Sequence, residues 1–119
     1  MRVLRDDLVP HAHAEEAVLY PAVEAAMGAP GATATMRADH IEIVERIERL
    51  EATVDDVEER TWPDPSLTRR LVHELIGTWA IIDLHFRKEE TVLLPVLDEA
   101  LSADDASALF ERMEAAVHR

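Results

Sequence analysis

The stretch HAHAEEAVLYP at residues 11–21 returns as HFRKEETVLLP at residues 85–95, 74 positions later. In each copy a histidine precedes a glutamate by four residues, His11 with Glu15 and His85 with Glu89, and a proline follows the histidine by ten. On an α-helix a step of four covers ~6 Å of axis and stays on one side, so each pair can converge on one metal centre. Two such pairs can hold two metals.

Outward from these motifs, apolar residues recur at helical spacing through most of the chain, and no stretch alternates with a period of two for long enough to make a sheet. The fold class is therefore all-α. A first helix carries Leu4, Leu8, His11, Glu15, Val18, Ala22 and Ala25 on one stripe and stops at the breaker GAPG, residues 28–31. Pro10 leaves two readings. Either Asp7 is the N-cap and Pro10 falls in the first turn, where its missing N–H costs nothing, or the helix already runs through Leu4 and the chain opens partway along a bundle element.

A second helix sets Met36, His40, Ile43, Val44, Ile47, Leu50, Val54 and Val57 on one face. After the loop WPDPS at residues 62–66, Asp64 reads as an N-cap with Pro65 in first helical position. The third helix then places Leu71, Leu75, Thr78, Trp79, Ile82, His85, Glu89, Val92 and Val96 inward. Ser102 caps a shorter helix with Ala106, Leu109, Phe110, Met113 and Val117 inward and no inward-facing ligand. Three long helices and a shorter C-terminal one, joined by short connections, predict an up-and-down bundle forming one domain over residues 1–119.

Composition narrows the chemistry. In 119 residues there are 25 acidic and 12 basic side chains, a formal charge of −13 that disfavours nucleic acid and anionic membrane surfaces and suits cations. The chain has no cysteine, so imidazole and carboxylate are its only strong metal ligands. No apolar run approaches the ~20 residues of a membrane span, and no signal-peptide pattern opens the sequence. A cytoplasmic location is expected.

His11, Glu15, His40, His85 and Glu89 thus lie on the apolar stripes of three helices. A lone histidine at a core position is ordinarily a hydrogen-bonded interior residue, but two carboxylates buried with three imidazoles need a compensating cation or hydrogen-bond donors, and a bound metal pair supplies that compensation. Neutral imidazole with bridging carboxylate suits iron or manganese, and zinc to a lesser extent. His13 faces outward or sits behind the ligands, Glu16 and Glu90 flank the stripe as solvated or salt-bridged groups, and His73 and His118 read as surface residues. Tyr20 reads as a packing residue that could line the site. Pro21 and Pro95 mark a kink or a helix end.

These motifs, together with Asp39-His40 at the start of the intervening helix, resemble the hemerythrin-like (HHE) cation-binding domain family over roughly residues 4 to 101. The resemblance implies a non-haem di-iron centre in which Glu15 and Glu89 bridge the metals and His11, His40 and His85 are terminal ligands. Members of the family bind dioxygen, sense oxygen, nitric oxide or iron, or handle peroxide. The chain departs from the family in two places: the helix that precedes the His11 helix, with its histidine, is missing, and Val44 stands where some members have a second histidine. Five protein ligands for two metals leave positions for water, for Glu16 or Glu45, or for a residue of another chain, and argue against reversible dioxygen carriage.

The expected function is accordingly a metal-binding protein that binds or senses a small diatomic or peroxide ligand, or iron. The rivals are a di-metal oxidase or peroxidase and a metal-free interaction module. Three amphipathic helices leave an apolar strip, to be covered by the C-terminal helix, by a second subunit or by a further N-terminal portion, and a homodimer is the expectation.

Overall fold

The computed structural model describes residues 3–60 and 62–118, and among them every long element is helical. α1 covers residues 3–27 without a break. It has a wide π-type segment Val3–Leu8, a regular turn Val9–Ala14, a second wide segment Glu15–Leu19 and a regular end Tyr20–Met27. Gly28 closes it at φ 64°, a left-handed backbone that is cheap only without a Cβ. α2 spans Ala34–Glu59. α3 covers residues 65–100, regular over Pro65–Lys88, wide over Glu89–Leu93 and regular again over Leu94–Ala100. α4 spans Ala103–Val117.

The all-α bundle predicted from periodicity is the observed architecture. Arg5 reaches Glu51 and Tyr20 reaches His40, so α1 and α2 run antiparallel; Arg70 meets Asp56 and His85 meets Asp39, so α2 and α3 do too. α4 returns across α1 and seats Leu109 and Met113 in a cluster with Ala14, Leu19, Leu93 and Leu97. The C-terminal helix thus covers part of the strip that three helices leave open.

Of the two readings of Pro10, the running helix holds: the backbone is already helical at Val3–Leu8, and Asp7 is no N-cap. Pro21 and Pro95 neither end nor break their helices. In a regular helix each ring would press on the carbonyl four residues back. Here a wide turn precedes each proline, with the Tyr20 N–H donating to the Glu15 carbonyl and the Leu94 N–H to the Glu89 carbonyl, five residues back. The extra residue per turn shifts the phase of the residues beyond it. Val23, Leu93 and Leu97 are buried, whereas Ala25 and Val92, expected inward, are exposed.

Further corrections fall on α3 and α2. Leu75 and Trp79 were expected inward but are 47% and 66% exposed, because α3 packs on α2 through Leu67, Thr78 and His85. Val57 is exposed, and Thr53, whose hydroxyl donates to the Arg49 carbonyl, takes the buried position. Phe110 of α4 is also exposed.

Both predicted caps are formed. Asp64 Oδ1 accepts from the N–H groups of Ser66 and Leu67 at 3.0 and 3.3 Å, and Ser102 Oγ accepts from that of Asp105 at 3.1 Å. Asp64→Ala leaves two N-terminal donors of α3 to water and is expected to cost about 1 kcal/mol. Urea unfolding should show a lower midpoint at unchanged slope; an unchanged midpoint would assign the start of α3 to Pro65 alone.

Candidate metal centre

Glu15, His40, His85 and Glu89 come from three helices and present one donor atom each within 4.8 Å of one another. Their burial follows from the helix stripes. Glu15 retains 2% of its exposure, His40 5% and His85 1%, deeper than an ionised carboxylate tolerates alone. His40 Nε2 and His85 Nε2 lie 3.0 Å apart, His85 Nε2 is 2.8 Å from Glu89 Oε1, and His40 Nε2 is 3.5 Å from Glu15 Oε1. Ligand bonds of roughly 2.0–2.2 Å put neighbouring donors about 3 to 3.5 Å apart and opposite donors about 4 Å apart, so one ion fits among these four with small side-chain shifts.

Both imidazoles are aimed from behind. His40 Nδ1 lies 3.2 Å from Glu16 Oε1, and His85 Nδ1 lies 3.1 Å from Asp39 Oδ2, which also takes the Lys88 ammonium. A carboxylate that accepts from Nδ1–H turns the Nε2 lone pair toward the other donors, the arrangement by which proteins orient metal-binding histidines. Asp39→Ala should therefore weaken metal binding by about 10- to 100-fold. Competition against a chromophoric chelator measures this; wild-type affinity in the variant would show that packing alone aims His85.

Sequence reasoning undervalued Tyr20. It is fully buried, and its hydroxyl lies 3.0 Å from His40 Nε2, 3.2 Å from His85 Nε2 and 3.2 Å from Glu89 Oε1, to which it donates. Five residues on from Glu15 and across a wide turn, Tyr20 returns to the same side of the helix, a phase that regular helical spacing does not give. Glu16 and Asp39 were visible only as acidic neighbours of the motifs, since their partners belong to other helices.

His11 stands apart. Its side chain is 46% exposed and its Nε2 is 3.7 Å from Glu15 Oε1, on the side away from His85. There a cavity of about 400 Å³ opens, lined by His11, Glu15 and Glu89 from the site and by α4 across it. On the inner side a far smaller cavity of about 10 Å³, room for one water, lies between Glu15, His40 and His85 and the apolar Val9, Ile43 and Ile82. His13 and His73 are exposed, as expected.

The electrostatics of the cluster follow from burial and from the contacts among its four side chains. Burial, reinforced by the neighbouring Glu89, pushes the Glu15 carboxyl up to about 10. Burial also opposes charge on Glu89, but hydrogen bonds from His85, Glu15 and Tyr20 outweigh it and draw that carboxyl down to about 2. Burial and the charge of His85 lower His40, whereas Glu89 and Asp39 overcome burial and raise His85. Without a metal these shifts favour a protonated Glu15 beside an ionised Glu89, and the two carboxylates flanking His85 favour its charged form.

A metal ion would take the place of these protons, and the donor set suits it: two imidazole nitrogens and two carboxylates with no thiolate. Among the described residues no helix is long and apolar enough to cross a membrane. No curated protein and no solved structure matches the chain significantly. Residues 1–97 match the family described as the Hemerythrin HHE cation binding domain. With most of its length matched and a His/Glu cluster able to hold a metal, the chain belongs to the hemerythrin HHE cation-binding domain family.

Proposed function

We propose that the protein carries a non-haem di-iron site and uses it to bind or sense a small molecule, namely dioxygen, nitric oxide or peroxide, or iron itself. The observation that carries this reading is the buried cluster of Glu15, His40, His85 and Glu89, with His11 beside Glu15 on the outer side. Glu15 and Glu89 belong to the cluster and also line the outer cavity, so a two-metal site would have both carboxylates within reach of its two ions.

Iron supplies redox-active open coordination positions when bound. The chain's own residues do the rest. Asp39 and Glu16 hold the imidazoles in direction, and Tyr20 keeps a hydroxyl proton on Glu89. Val9, Ile43 and Ile82 wall a small apolar space, with room for one water-sized molecule, next to the donors. Manganese or zinc would be accepted by the same oxygens and nitrogens, and iron is the better match to a site with two imidazoles and bridging carboxylates.

The test is metal analysis of protein purified without chelator, read beside its ultraviolet-visible spectrum. About two irons per chain with a charge-transfer band is the expected result. Less than about 0.2 iron per chain after anaerobic loading would overturn the reading. The Tyr20 hydroxyl, a hydrogen-bond donor within the cluster, favours a second reading, a di-metal oxidase or peroxidase. Steady consumption of peroxide that falls in Tyr20→Phe would select it over binding alone.

A further inference from the structure

The histidines and glutamates of the repeated motifs, together with His40, serve the two sides of the site unequally. The inner side has two imidazoles, and the outer side has only His11, half-exposed beside the cavity of about 400 Å³. The far wall of that cavity is α4. From it Glu114 and His118 line the same space as His11, Glu15 and Glu89.

Glu114 and His118 are four residues apart, the spacing of the His11/Glu15 and His85/Glu89 pairs in reversed order, so they fall on one side of α4. The helix is held there by Leu109 and Met113, which are buried in one cluster with Ala14 and Leu19, and Met113 and Leu19 form part of the cavity wall. His118 is the C-cap, one residue past the last helical position Val117 (φ −93°, ψ 10°), so its Cα still continues the spacing from Glu114. Glu114 adds a third carboxylate around one cavity in a chain already at −13, an arrangement that a cation relieves. Residues 98–119 lie outside the family match, so no family pattern gives α4 a role.

We infer that α4 supplies the outer half of the metal centre, with His118 as a nitrogen ligand and Glu114 as a carboxylate ligand to the ion on the His11 side. This rests on the two-metal reading above. It goes beyond the expectation that the C-terminal helix offers no inward-facing ligand; Glu114 and His118 are exposed, as expected of His118, and line the cavity from its open side.

The experiment uses zinc(II) as a redox-silent probe on the full chain, with stoichiometry from equilibrium dialysis and histidine accessibility from diethyl pyrocarbonate labelling read by peptide mass spectrometry. Wild type should take up two ions per chain, and the second should protect His118 and His11 together, while the exposed His73 stays labelled throughout. His118→Ala with Glu114→Gln should hold the inner ion as wild type does and weaken the outer one by at least about tenfold. Unchanged helicity by circular dichroism together with an unchanged urea midpoint and slope shows that α4 remains folded and docked. A variant that keeps both ions at wild-type affinity, or a His118 labelled equally with and without zinc, overturns the inference and leaves the two-metal reading standing. A wild type that saturates at one ion overturns both.

Discussion

Glu15→Gln combined with Glu89→Gln is expected to abolish metal uptake, taking bound iron from about two ions per chain to below about 0.2. These two side chains are the only carboxylates in the buried cluster, and they face both the inner imidazoles and the outer cavity. Neutral amides of the same shape keep the packing but remove the charge that compensates the ions. Loss of uptake will not be loss of fold. At pH 8 the buried Glu15 carboxyl destabilises the metal-free wild type while the ionised Glu89 stabilises it, so the double variant should stay close to wild-type stability. Metal analysis and urea unfolding of the same preparations separate the two effects. Retention of two ions would place the centre elsewhere.

The second large effect is the pH dependence of the metal-free protein. The Glu15 carboxyl is pushed from 4.5 up to about 10 by burial and by Glu89, so between these values the unfolded chain has released a proton that the folded chain keeps. The folded state binds more protons, and its stability therefore falls as pH rises, by at most about 1.4 kcal/mol per pH unit for this group. His85, raised above 6.5 by Glu89 and Asp39 despite burial, acts in the same direction: its contribution is complete below 6.5 and lost as pH climbs through the folded value. Glu89, lowered to about 2, and Asp39, lowered by Lys88 and His85, act oppositely, and their contributions are lost as pH falls below the ordinary carboxylate range. His40, lowered below 6.5 by burial and by His85, also loses stability toward acid.

Stability of the metal-free protein should thus be greatest between about pH 4.5 and 6.5 and fall from there toward pH 9, most steeply just above 6.5 where Glu15 and His85 act together. Urea midpoints across this range, in chelator, measure it. Glu15→Gln should flatten the alkaline limb, and so should saturating metal, which binds the folded state alone. A midpoint that stays level or rises from pH 6.5 to 9 would mean that Glu15 is already ionised in the folded protein.

Much of the bundle and part of the site were legible in the sequence because the relevant physics is local. Period 3.6 identifies helices whatever they pack against, Asp64 and Ser102 cap the helices that begin just after them, and a four-residue step puts His85 and Glu89 on one side of one helix. The stripe of α3 was misjudged where packing between helices takes over. Leu75 and Trp79 are apolar at helical spacing, yet which flank of a helix is covered depends on where its neighbours lie.

By itself, then, the sequence determined the all-α class, the helix caps and the identity of the two His/Glu pairs, since each is written in residues a few positions apart. Only the tertiary structure decided the rest. The wide turns before Pro21 and Pro95 rotated Tyr20, Leu93 and Leu97 inward, by an extra residue per turn that no periodicity announces. Contact between helices put Asp39 behind His85 and Glu16 behind His40, at separations of 46 and 24 residues. The docking of α4 through Leu109 and Met113 set Glu114 and His118 across the cavity from His11, because side chains on different helices meet only where the packing of apolar faces brings them together.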